Sequence, residues 1–160
     1  MTVTVRPLEE GDIKSVKRIF DLYWQDDFKN NLSDKLNKYF QNDPALVEQK
    51  FKFIVAEEDG EVVGVAAIRK APQHMREFAT TSNPAELYVA AVKERGRGIG
   101  TALVNERIEE AKREGYTEAV LFSGETHQDS WKFHERYFDQ VGPATAPNGE
   151  PGYIWHKILE

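Results

Sequence analysis

Arg95-Gly96-Arg97-Gly98-Ile99-Gly100-Thr101 is preceded by an apolar run, Glu86-Leu87-Tyr88-Val89-Ala90-Ala91-Val92, and followed by Thr101–Lys112, in which apolar and charged residues recur at helical spacing. Strand, glycine turn and helix together build an anion site. Glycines let backbone approach a ligand with no Cβ in the way. The unpaired N–H groups of the first helical turn then point outward, with the positive end of the helix dipole behind them, and phosphate is the usual occupant. The neighbours narrow the choice. A dinucleotide fold needs Gly-x-Gly-x-x-Gly with an acidic residue about 20 positions on, and the spacing here is wrong. A Walker loop needs Gly-Lys-Ser/Thr after four intervening residues, which is absent. What remains is Arg-x-x-Gly-x-Gly from Arg95, with an ordinary strand–helix turn whose glycines serve packing as the alternative.

Composition sets the frame. A chain of 160 residues suits one domain spanning 1–160, and 40% apolar with 30% charged residues is a soluble globular profile. No apolar run is long enough for a membrane span, and Met1–Pro7 lacks the basic-then-apolar pattern of a secretory signal. Cysteine is absent, which removes disulfides, thiolate metal ligands and a thiol nucleophile, and suits a cytoplasmic protein. A net charge of −6 argues against nucleic acid as a partner. Lys93, Arg95 and Arg97 nevertheless cluster at the glycine loop, as a polyanionic ligand would require. The acidic remainder weakly favours a cationic substrate such as an amine.

The remaining elements are read from periodicity and turn residues. Thr2–Arg6 alternates and predicts a strand stopped by Pro7. Asp12 is a candidate N-cap for a helix over Ile13–Trp24, and Asp26–Asn31 reads as a polar break. Ser33–Phe40 predicts a second helix, and Ala45–Lys50 a further helical turn. Phe51–Ala56 and Val62–Arg69 predict a hairpin turning at Glu58-Asp59-Gly60, and Ala71–Pro84 reads as loop. In the helix after the glycines, Leu103, Val104, Ile108 and Ala111 share a face, and Arg107 falls inside the same arc, which predicts either a rim position for it or a less clean apolar face. Ala119–Phe122 reads as a central strand, Ser123–Asp129 as loop and Ser130–Tyr137 as a short helix. Phe138–Val141 and Tyr153–Leu159 are closing strands around a loop at Gly142–Gly152. This order predicts an α/β or α+β chain, a mixed sheet with helices on both faces.

The Arg95-x-x-Gly98-x-Gly100 loop resembles the acetyl-CoA pyrophosphate loop of the GNAT N-acetyltransferase family. The element order is similar to that family's over almost the whole chain, most strongly from Ala85 to Leu159. The resemblance implies a mostly antiparallel twisted sheet with a splayed central strand pair, acetyl-CoA as co-substrate and no metal. It implies a cofactor site made by Arg95, Gly96, Arg97, Gly98, Ile99, Gly100 and Thr101. It places the pantetheine arm on the backbone of Val89 and Ala90, opposite Val120–Ser123, and puts His127 where the family often has an asparagine that contacts the cofactor. Members often have Val-x-Pro five residues before the Arg. Val89 lies six before Arg95 with no proline after it, so a bulge is expected to absorb the extra residue.

Acetyl transfer by direct attack of an amine on the thioester needs a base, donors for the oxyanion and an acid for the departing thiolate. Family members often carry Phe-Tyr-Glu-Lys/Arg-Leu-Gly-Phe in the last helix; this chain has Phe133-His134-Glu135-Arg136-Tyr137-Phe138. His134 and Tyr137 are therefore rival candidate acids, each with core packing as its alternative role. Glu86 is the candidate base, with an exposed strand end as the alternative. Tyr23, Trp24, Phe28 and Trp155 are candidate pocket aromatics, again against core packing. The four histidines show no metal-ligand spacing. The leading expectation is an N-acetyltransferase acting on a small-molecule amine or a protein amino group, with a homodimer expected from the resemblance. A non-catalytic CoA-binding sensor and an unrelated phosphate- or nucleotide-binding protein stay open.

Overall fold

Among the described residues, seven strands form one sheet in which every neighbouring pair but one is antiparallel. The computed structural model describes residues 2–160 apart from the side chain of Asp26. Met1, the first residue read for a secretory signal, lies outside the described residues. The strands are β1 (Val3–Pro7), β2 (Lys52–Glu58), β3 (Glu61–Lys70), β4 (Pro84–Val92), β5 (Glu118–Gly124), β6 (Asp139–Thr145) and β7 (Pro151–Ile158). They lie in the order β1-β2-β3-β4-β5-β7-β6, and β4 and β5 are the parallel pair. The helices are α1 (Ile13–Phe20), α2 (Asp26–Tyr39), α3 (Pro44–Glu48), α4 (Gln73–Arg76), α5 (Ile99–Arg113) and α6 (Trp131–Glu135). The mixed, mostly antiparallel sheet expected from the sequence is therefore present.

Helices cover both faces. On one, Val16, Ile19 and Phe20 of α1 and Leu32 and Leu36 of α2 join Phe53, Val55, Val65 and Ala67 in one core. On the other, Val104, Ile108 and Ala111 of α5 pack with Ile68, Leu87, Leu121 and Trp155, while Ile99 and Leu103 pack with Ile54, Ala56 and Ala66. The β2–β3 hairpin turns through Asp59 and Gly60, whose φ values of 52° and 79° give the two left-handed residues that match strand twist.

Several boundaries differ from those the pattern predicts. α2 begins at Asp26 and runs through the stretch read as a break, because Phe28, Leu32, Leu36 and Tyr39 already supply an apolar residue for each turn. α1 stops at Phe20, and Tyr23, in the turn that follows, donates its hydroxyl to the Val92 carbonyl at 2.6 Å. Asp12 does not cap α1; its carboxylate accepts from the Glu9 amide at 2.8 Å and from Arg6. The 71–84 loop contains α4, pinned by buried Met75 against Val120 and Ile154. The closing strands extend well into Gly142–Gly152, and Pro143 is tolerated because β6 is an edge strand.

Candidate active site

β4 and β5 pair only at Pro84↔Glu118, Ala85↔Ala119 and Glu86↔Val120. Beyond Glu86 they separate, and a cavity of about 1180 Å³ opens that Leu87–Val92 line from one side and Leu121–Gly124 from the other. The β3–β4 register slips here: Ala67 faces Val89 while Ile68 faces Leu87, so Tyr88 is an extra residue. The extra residue counted from Val89 to Arg95 called for a bulge after Val89. The bulge present falls just before it and so does not account for that spacing. It shifts the strand's phase, so Leu87 packs toward α5 whereas Tyr88 and Val89 both join the α1/α2 core. Alternate N–H and C=O groups of an edge bond the neighbouring strand and those between point away; β4 past Glu86 thus offers free backbone groups to the gap.

The glycine loop closes one end of that cavity. Gly96 and Gly98 sit at φ 80° and 79°, and a Cβ on either would meet nothing within 4 Å, so the backbone is open to an approaching ligand. Gly98 caps α5, and Ala102 N–H makes a 3.1 Å bond to its carbonyl. The amides of Ile99, Gly100 and Thr101 precede that bond and have no intrahelical acceptor. The residues present therefore fit a pyrophosphate. The cationic patch is real but paired: Lys93 meets Glu61, Arg95 meets Asp129 at 2.9 Å, and Arg97 meets Glu58 at 2.8 Å and Glu94 at 3.3 Å. The Arg95–Asp129 pair is exposed on both sides, and pairs of that kind contribute roughly 0–1 kcal/mol, so a diphosphate can compete for the Arg95 guanidinium.

Glu86 stands at the last paired position, where the gap begins. It is not an exposed strand end: it is 5% exposed, and Arg69 donates to its Oε1 from Nε at 2.7 Å and from Nη2 at 2.6 Å. Burial raises its pKa, and the Arg69 charge opposes the rise. Arg69 is itself held 4.0 Å from the Tyr88 ring centre. Tyr23, Trp24, Phe28 and Tyr88 form an aromatic wall next to this pair, with Trp24 and Phe28 rings 5.4 Å apart. Trp155 does not belong to the wall; it is fully buried among the α5 core residues. His127 lines the cavity, its ring 6.2 Å from Trp24.

Of the two candidate acids, His134 lines the cavity and Tyr137 does not. The His134 ring lies 5.3 Å from Trp155 with Nδ1 unbonded. Burial, aided by the nearby Arg107 charge, pulls its pKa down to about 4, which leaves the ring neutral at neutral pH. Tyr137 bonds Thr101 Oγ1 at 2.9 Å, at the loop end of the cavity. Arg107 is not at a rim. It is 3% exposed at the bulge, with Nη1 donating to the Val89 and Ala67 carbonyls at 3.3 and 3.4 Å and Nε without a partner. The sequence flagged Arg107 only as a charge inside an apolar arc, and it gave no sign of the Arg69–Glu86 pair, whose members are 17 residues apart.

The site thus combines a splayed parallel pair, a glycine loop capping a helix and a buried carboxylate facing the gap. The chain belongs to the Acetyltransferase (GNAT) family, whose model matches residues 16–139. The fold is shared with a GNAT-family crystal structure from Desulfovibrio desulfuricans at TM-score 0.82 and 18% identity, covering 99% of this chain and 100% of that one. An N-acetyltransferase from Staphylococcus aureus Mu50 superposes at 0.75 with 20% identity over 100% of both chains. The PaiA N-acetyltransferase from Thermoplasma acidophilum, solved in complex with coenzyme A, superposes at 0.67 with 16% identity, covering 99% of this chain and 100% of that one. No curated protein matches the chain. Among the described residues, no helix is long and apolar enough to cross a membrane.

Proposed function

We propose that this chain is an acetyl-CoA-dependent N-acetyltransferase that acetylates a primary amine by direct attack on the thioester. The observation that carries the reading is one continuous cavity joining the open amides of Arg95–Thr101 to the Glu86 carboxylate through the β4–β5 gap. Bound pyrophosphate would lie on the amides of Ile99, Gly100 and Thr101, with the arm along Val89 and Ala90. Glu86 is the base: a buried carboxylate whose pKa is raised by its surroundings binds the amine and takes its proton. The aromatic wall of Tyr23, Trp24, Phe28 and Tyr88 supplies the acceptor chamber. Support for acetyl-CoA also comes from the Thermoplasma structure, which holds coenzyme A in the same fold.

An amine panel with acetyl-CoA tests this, reading CoA release together with product mass. Amine-dependent release with a matching N-acetyl product is the expected result. Tight acetyl-CoA binding without transfer to polyamines, amino acids, aminoglycosides or peptide N-termini would favour a CoA-binding sensor instead.

A further inference from the structure

Arg107 is a charge in a place that does not explain it. Its guanidinium sits inside the sheet–α5 layer, and burial alone drags its pKa to about 10, with no carboxylate contributing. An isolated buried cation is costly, and natural cores rarely keep one without an anion. Its two bonds, to Ala67 O and Val89 O, are long and could be made by a neutral donor such as Gln. Among the described residues the charge therefore has no anionic partner, and Arg107 lines the cavity.

Its position says which anion it awaits. Arg107 lies eight residues, or about 12 Å of helical rise, beyond Ile99 at the loop. It touches the carbonyl of Val89, just past the bulge where the strands part. Glu86 and Tyr88 look toward the α1/α2 side, so an amine arrives there while Arg107 stands on the α5 side. Neither other candidate is set to hand a proton to a departing sulfur: His134 is neutral, and Thr101, where Tyr137 is tied, lies six residues from Arg107, about 9 Å along α5.

We propose that Arg107 is a catalytic residue that stabilises the CoA thiolate as an anion while it leaves, a role that rests on the acetyl-CoA reading above. The amine lone pair attacks the carbonyl carbon, the C–S bond breaks with its electron pair passing to sulfur, and Glu86 takes the proton from nitrogen. The thiolate, held by the guanidinium, collects its proton from solvent after product departs. Preorganised charge in a water-poor site acts on the transition state, where sulfur becomes negative, and hardly on the neutral thioester.

The chain has no cysteine, so the thiol of bound CoA is the sole thiol in the sample and can be titrated by thiolate absorbance. Free thiols of this kind titrate near ~8.5. In the wild type the bound thiol titrates at least one unit lower, a tenfold or larger gain in thiolate at neutral pH. Arg107→Lys keeps most of the shift, and Arg107→Gln, which keeps a donor without the charge, abolishes it. Arg107→Gln also lowers kcat by ~10²–10³ with little change in KM for acetyl-CoA. Equal titration in the wild type and a folded Arg107→Gln, both with CoA bound, overturns the proposal and leaves the acetyltransferase reading standing. Failure of the wild type to bind CoA removes both. Should Arg107→Gln not fold, the wild type decides alone, since a bound thiol titrating at or above the free one contradicts the role.

Discussion

Glu86 and Arg69 show how a residue's role follows from its neighbours. Burial raises the pKa of the Glu86 carboxylate, 5% exposed, while the Arg69 guanidinium beside it opposes the rise, and the proposed reaction makes it the base. Glu86→Gln preserves shape and removes the basic oxygen. We expect kcat to fall by ~10²–10⁴ with acetyl-CoA affinity unchanged, measured by steady-state rates beside calorimetric binding. His134 gives a pH prediction. Its pKa in the folded chain is about 4 against 6.5 for the ordinary side chain. Between those values the unfolded chain binds more protons than the folded one, so stability rises with pH across that window and is lost as pH falls. The effect is on the order of 3 kcal/mol. Glu86, with its raised pKa, acts in the opposite sense in part of that range, so the comparison with His134→Gln isolates the term. Urea unfolding from pH 4 to 7 should be flatter in the variant.

At the scale of elements, the 79–83 segment hangs on Glu118. This carboxylate is fully buried at the start of β5; it accepts from the Thr80 and Thr81 amides at 2.8 Å each and lies 2.7 Å from His156 Nδ1. Burial alone would raise its pKa, but these hydrogen bonds outweigh it and hold the pKa low. Glu118→Ala strands two amides and should destabilise the chain by about 2–4 kcal/mol in chemical unfolding. None of this was legible beforehand, because Glu118, Thr80 and His156 share no local pattern. The glycine loop, the α5 start and the β2–β3 turn were legible, since Gly98 and Asp59-Gly60 state their backbone geometry in their chemistry. The Tyr88 bulge was not legible, since it falls before Val89 and outside the Val89–Arg95 stretch whose length suggested a bulge. The α2 start was missed because a single aromatic, Phe28, holds a turn that otherwise reads as polar. Arg107 was visible as an anomaly, but burial without an anion is a property of the assembled layers.

For the whole molecule, a net charge of −6 and a locally paired cationic loop make the proposed affinity for a polyanion depend on backbone amides more than on net charge. That claim is tested most directly by calorimetric titration of acetyl-CoA into the wild type and into Gly98→Glu. Gly98 sits at φ 79° with open space above it, so the variant carries about 1–2 kcal/mol of backbone strain but no clash, and should stay folded. The added carboxylate occupies the pyrophosphate position. The account predicts saturable wild-type binding with about 2.7 kcal/mol of added stability at 100 times Kd, and loss of both in the variant. A folded Gly98→Glu chain that binds acetyl-CoA as tightly as the wild type would contradict it.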